Sequence, residues 1–171
     1  VYGDALSNFE FYRKGYTKRP IVAVNSLEID EFVANCDDCW VYYTNGELKD
    51  NVSNRTISVP SARNRVIGVQ MYVGGAKGFL HWGYNFYYKR LSKGPVNPYE
   101  VTDAGKEFPS GDSFIVYPAE DGTAYHSLRL KVFYDALQDM AALNTLEKLT
   151  DKSTCLSIIE ENGKHDITFR R

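Results

Sequence analysis

The chain has 171 residues, 43% of them hydrophobic and 25% charged, with a formal net charge of -2. That length and apolar share fit one soluble globular domain over residues 1–171 with a true core, and exclude fibre or disorder. The small acidic balance excludes a phosphate track for nucleic acid, and no run approaches the roughly 18 apolar residues of a membrane span.

The first predicted element is a short helix that Ser7 caps and Gly15 stops after Lys14. Ahead of it, Val1-Tyr2-Gly3-Asp4 lacks the basic and apolar regions of a signal peptide and carries no visible address, so the expectation of a cytoplasmic location rests on the reduced thiols expected of the cysteines. A strand over 21–24 follows Pro20, and Ser26 caps a helix over about 27–34. Cys36-Asp37-Asp38-Cys39 has the spacing of redox and zinc motifs, but Cys39 runs straight into a strand over 40–43. With Cys155 as the third cysteine and no second paired motif, reduced thiols are expected, and no metal.

A Gly/Pro/Asn/Ser-rich connection over about 44–59 holds two glycosylation-type triplets, Asn51-Val52-Ser53 and Asn54-Arg55-Thr56, read as chance. Pro60 fits a first helical turn, after which Ala62, Val66, Val69 and Val73 recur at helical spacing until Gly74-Gly75 ends the helix. A strand over 78–82 comes next, then a long connection over about 86–112, and a fourth strand over 113–117 before Pro118. Ser127 opens the longest helix, with Leu130, Phe133, Leu137, Met140 and Leu143 as its apolar stripe up to about Leu149. Asp151 caps a last helix through about Glu161.

Short apolar runs alternating with helices predict repeated β/α units and an α/β fold with about four parallel strands. Such folds build their sites at the C-terminal ends of strands. The residues expected there are Tyr42, Tyr43, Thr44 and Asn45, then Trp82, Tyr84 and Asn85, then Tyr117, Glu120 and Asp121. The run from Gly78 to Tyr88 is the most informative, because a strand empties into rings and amides that present flat apolar faces with polar tips, as a sugar site requires. Core packing of the same rings is the competing reading. Four strands do not close a barrel, so an apolar face and two edges stay open, and the isolated chain is expected to self-associate.

The segments from Asp4 to Tyr12, Val52-Ser53-Asn54-Arg55, Pro60 to Gly68, Gly78 to Asn85, Asn97-Pro98-Tyr99, Phe108 to Asp112 and Val116-Tyr117-Pro118 occur in order. Together they closely resemble the C-terminal part of the bacterial family known as domain of unknown function 4091, which is related to the catalytic domain of glycoside hydrolase family 123. The resemblance implies the C-terminal half of a (β/α)8 TIM-type barrel. It also implies an enzyme similar to retaining β-N-acetylgalactosaminidases that act by substrate assistance, with a carbohydrate as partner and no cofactor. In that family an adjacent Asp-Glu pair does the chemistry. Asp30-Glu31 lies in a helical segment without the family's surrounding motif and reads as a solvated helix face, so no catalytic residue is assigned to this chain.

What the resemblance and the position assign is substrate binding. Trp82 is expected to stack on a pyranose face, Tyr84 and Asn85 to hydrogen-bond an acetamide or hydroxyl, and Tyr43 to close the pocket, although Tyr43 and Tyr84 also suit buried rings. Asp112 suits either sugar hydroxyls or the cap of a turn, Arg63 and Arg65 suit bracing of nearby loops, and His81 reads as a satisfied core histidine. Two further readings compete: a non-catalytic carbohydrate-binding or structural module, and a working carboxylate pair of Asp112 and Glu120, which requires the two to converge within roughly 5–10 Å.

Overall fold

The structure, a computed structural model, describes residues 3–5, 8–43, 45 and 52–169. Strands β1 (Gly3–Ala5), β2 (Arg19–Ala23), β3 (Trp40–Tyr42) and β4 (Gly78–Leu80) form one parallel sheet in that order. Helix α1 (Phe9–Arg13) links the first pair, α2 (Ile29–Asn35) the second, and α3 (Ser61–Arg65) with α4 (Ile67–Gly74) the third. A long irregular stretch then leads to an antiparallel hairpin of β5 (Val116–Pro118) and β6 (Ala124–His126), followed by α5 (Leu128–Leu149) and α6 (Lys152–Ile159).

Strand periodicity sorts the sheet into two unlike faces. Val22, Val41 and Phe79 are in register across three strands, and the chain continues on that side into Val24 and Tyr43. This side joins Phe32 of α2, Ile67 and Met71 of α4, and Phe133 and Met140 of α5 in the core. The other side carries Ile21, Trp40, Tyr42 and Leu80, of which only Ile21 is fully buried and Leu80 is 39% exposed. Gly78 belongs to that side for a steric reason, since a Cβ there would strike the Trp40 indole.

Two expectations about strands need correction. The apolar run 113–117 is not a member of the parallel sheet. Phe86 N donates to Ser113 O at 3.0 Å and Ile115 N to Tyr84 O at 2.9 Å, so the run pairs antiparallel with the exit from β4, and only its end continues into β5. Burial makes such a run apolar whichever partner buries it. The fourth parallel strand is instead β1, whose Gly-Asp-Ala sequence carries no apolar signal. The strand predicted over 78–82 also ends early, at Leu80.

The helices follow their caps more closely than their stripes. Ser127 Oγ accepts from Leu130 N and Asp151 Oδ1 from Thr154 N, as the cap residues predict. Gly75, at φ 76°, ends α4 in the left-handed conformation that glycine takes without penalty. Ser7, the predicted cap of α1, lies outside the described residues. The helix predicted from Pro60 breaks at Val66, and its buried face is not the 62/66/69/73 stripe but Asn64, Ile67, Gly68 and Met71. The reason is α5, which packs so closely that a Cβ on Gly68 would collide with the Ala136 carbonyl. Among the described residues no helix is long and apolar enough to cross a membrane.

That contact yields a prediction with a diagnostic sign. Gly-to-Ala in an exposed helix stabilises by up to about 1 kcal/mol, but Gly68→Ala drives backbone against backbone and is expected to cost about 3 kcal/mol, read as a lowered urea midpoint.

Candidate functional site

At the C-terminal edge of the sheet, β3 runs into Tyr43 and β4 into His81 and Trp82. Two irregular segments, 52–56 and 110–115, close over this edge, and most of their residues are buried although neither is regular. Buried backbone without a ladder needs other partners, and Arg129 supplies them. Its Nη1 donates to Arg55 O at 2.9 Å and Gly111 O at 2.7 Å, while Nη2 donates to Phe114 O at 2.9 Å. Arg55 Nη2 in turn donates to Gly83 O at 2.7 Å, tying the exit of β4 to the same cluster. Burial pushes the Arg55 guanidinium down to about 10, which leaves it charged at neutral pH, and lowers that of Arg129 as well.

Trp82 lies above this layer with 40% of its surface open. Its Nε1 donates to Asp112 Oδ2 at 3.2 Å, and its ring packs against Phe86 and Phe108 with centroids 5.4 and 5.1 Å away. His81 lies nearly parallel to it, at 20° and 6.3 Å. His81 Nδ1 accepts from Gly83 N at 3.0 Å, which leaves the proton on Nε2, facing Asp112 Oδ1 at 3.5 Å. Burial lowers the His81 pKa below the usual range, with Arg55 and Arg129 adding to the shift and Asp112 opposing it. Gly83 is required here for proximity, since a Cβ would meet the backbone of Asp112 and Ser113.

The residues predicted for the site therefore fall into two layers. Trp82, Tyr84 and Asn85 are exposed together beyond β4, with Tyr84 51% open. Tyr43 lies beneath them with no exposed surface, its ring edge-on to Phe79 and its hydroxyl 3.5 Å from Asn64 Oδ1. Burial raises its phenol pKa. Asp112 has no exposed surface either, so in this chain it meets the Trp82 indole rather than a sugar hydroxyl. Glu120 is exposed on the β5–β6 turn while Asp112 is sealed, so the two do not form an accessible carboxylate pair. Tyr117 and Asp121 belong to this hairpin as well, and Thr44 lies outside the described residues.

Asp30 and Glu31 are exposed in the first turn of α2. Arg63 donates to Val52 O, and Arg65 grips Asp139 through two bonds of 2.7 and 2.8 Å. Cys36 follows α2 and Cys39 precedes β3, both buried and free; burial pushes the Cys39 thiol up to about 12. Among the described residues no three His, Cys, Asp or Glu side chains gather as a metal site requires. A cavity of about 370 Å³ between α4, α5 and α6 lies at the other end of β4. There Lys152 Nζ donates to Tyr72 O and Tyr72 Oη to Glu147, so these three residues are tied to one another.

Arg55, Arg129 and Asn64 are the site residues that sequence reasoning missed. One of them left a signal: Arg129 stands in the first turn of α5, where the helix dipole repels a cation. Such a residue needs another reason to be there.

A pH dependence follows from His81. A histidine whose folded pKa lies below its unfolded value of about 6.5 contributes stability in full above that value and loses it as pH falls toward the folded pKa. Unfolding midpoints are expected to drop as pH falls below about 6.5, and His81→Gln to flatten that slope; an unchanged slope refutes the assignment.

The family model described as the glycoside hydrolase 123 catalytic domain matches residues 1–146. Among solved structures, that of a family 123 glycoside hydrolase from Clostridium perfringens, a study of glycolipid glycan hydrolysis, has a TM-score of 0.65 at 18% identity. The likeness covers 94% of this chain and 27% of that one, so the chain spans about a quarter of its solved relative. No curated protein matches it. With 146 of its 171 residues inside the family model, the chain belongs to the glycoside hydrolase 123 catalytic domain family.

Proposed function

We propose that this chain is the C-terminal half of a (β/α)8 barrel in a retaining, substrate-assisted β-N-acetylhexosaminidase, where it forms one wall of the sugar pocket. The observation that carries this reading is the half-exposed Trp82 indole, fastened at the C-terminal end of a parallel strand with Tyr84 and Asn85 beside it. Its open surface suits the C–H face of a pyranose, and the neighbouring phenol and amide suit its acetamide or hydroxyls. The sheet supports the half-barrel reading. One face is packed by helices, while the face with Trp40, Tyr42 and Leu80 remains partly open, as the interior of an uncompleted barrel would be. The kinship with domain of unknown function 4091 belongs to the same proposal.

In substrate assistance the 2-acetamido oxygen attacks its own anomeric carbon. One carboxylic acid protonates the leaving oxygen, and a second carboxylate orients the acetamide. The Asp-Glu pair for these roles belongs to the part of the domain outside this chain. Trp82, Tyr84 and Asn85 hold the ring while Tyr43, Asn64, Arg55 and Arg129 support them from below.

The test is turnover of aryl N-acetyl-β-hexosaminides by the full-length protein. Trp82→Ala is expected to raise KM about tenfold or more with a smaller change in kcat, as loss of a stacking ring implies. Conversion of the external Asp-Glu pair to amides is expected to abolish turnover. Absence of turnover on every hexosaminide, with Trp82-dependent glycan binding retained, would favour the binding-module reading instead. The isolated chain is also expected to self-associate through its open sheet face, and a monomer by sedimentation at high concentration counts against that.

A further inference from the structure

We propose that Asp112 is a positioning residue: its buried carboxylate sets the orientation of the Trp82 indole and thereby decides which surface of the ring a sugar meets. The inference rests on the reading of Trp82 as the stacking ring, but the contact itself does not. Trp82 follows β4 where the chain has left the sheet, and a half-exposed side chain on such a segment loses rotamer freedom only if something holds it. Phe86 and Phe108 pack against the ring at steep angles but permit sliding, because ring packing has no fixed register. The bond from Nε1 to Asp112 Oδ2 is directional and charge-assisted, so it fixes the in-plane orientation of the indole.

Asp112 is itself held in place. Gly111, at φ 81°, turns the chain into it, and a Cβ at Gly111 would collide with Arg129 and Ile57. Arg129 holds Gly111 O, Asp112 N donates to Pro109 O, and Gly83 lies flush against the Asp112 and Ser113 backbone. Those contacts set the distance between the carboxylate and the indole. The second oxygen, Oδ1, has no hydrogen-bond partner among the described residues and neither has His81 Nε2, yet the two face each other at 3.5 Å. A buried carboxylate needs favourable neighbours, and here they are the indole N–H, the His81 N–H and the nearby cations Arg55 and Arg129. With no exposed surface, Asp112 acts on a ligand only through Trp82.

The experiment uses the full-length protein and four variants: Asp112→Ala, Asp112→Asn, Trp82→Phe and the double Asp112→Ala/Trp82→Phe. Acrylamide quenching of the Trp82 emission, taken as the difference from Trp82→Phe, reads the indole directly and needs no activity. Asp112→Ala is expected to increase that quenching and to raise KM about tenfold with kcat changed far less, and Asp112→Asn, which keeps an acceptor, to lie between. In the Trp82→Phe background, which lacks the donor, the Asp112→Ala effect on KM is expected to vanish. Unchanged quenching in Asp112→Ala overturns the proposal, as does an equal KM effect in both backgrounds. Should Asp112→Ala fail to fold, Asp112→Asn carries the same two comparisons. Absence of turnover by the wild-type protein sinks the hexosaminidase reading alone, and quenching then decides the role of Asp112.

Discussion

The guanidinium of Arg129 joins three carbonyls from two distant stretches of chain, that of Arg55 and those of Gly111 and Phe114, at the C-terminal end of the sheet. These stretches are irregular and buried, a combination that would strand backbone acceptors without a donor reaching all of them. Arginine suits the task because its planar fork offers several N–H groups in fixed directions and remains charged even when buried. Arg55 extends the arrangement to Gly83, so the exit of β4 is located by the same pair of cations.

The candidate site inherits its rigidity from that arrangement. The segment carrying Asp112 is held by Arg129, the segment carrying Trp82 by Arg55, and the two approach so closely that only glycine fits at position 83. Below, Tyr43 packs against Phe79 and His81, and Asn64 ties α3 to the start of α5 by donating to Arg129 O. The exposed layer of Trp82, Tyr84 and Asn85 thus rests on a floor whose polar groups are mostly paired. A floor of this kind suits binding, because a ring already held in place loses little freedom when a ligand arrives.

Local chemistry made part of this legible. Ser127 and Asp151 announced their helices because a side-chain oxygen ahead of a helix satisfies orphan N–H groups wherever it occurs. The parallel strands with apolar sequences, β2, β3 and β4, were legible for a similar reason. β1 was not, since Gly3–Ala5 has no apolar run to announce the strand that its backbone pairing with β2 defines. The stripe on α3 and α4 misled because a helix packed against α5 buries small and polar residues such as Gly68 and Asn64, which periodicity of apolar residues does not count.

The sequence by itself singled out Trp82, Tyr84 and Asn85 as candidates for a sugar site, since they follow a strand and carry flat apolar faces with polar tips. It also placed Asp30-Glu31 on a helix face and Arg63 as a brace of a nearby loop, whereas Arg65 turned out to grip Asp139 on α5. Only the tertiary structure decided the depth of each group: Tyr43 and Asp112 are sealed, the run 113–117 turns away from the parallel sheet, and two arginines hold the loops. The physical reason is that side-chain chemistry is local, whereas burial and hydrogen-bond partnership depend on what distant segments bring. Arg129 meets Arg55 across 74 residues, and no pattern within either segment encodes that meeting.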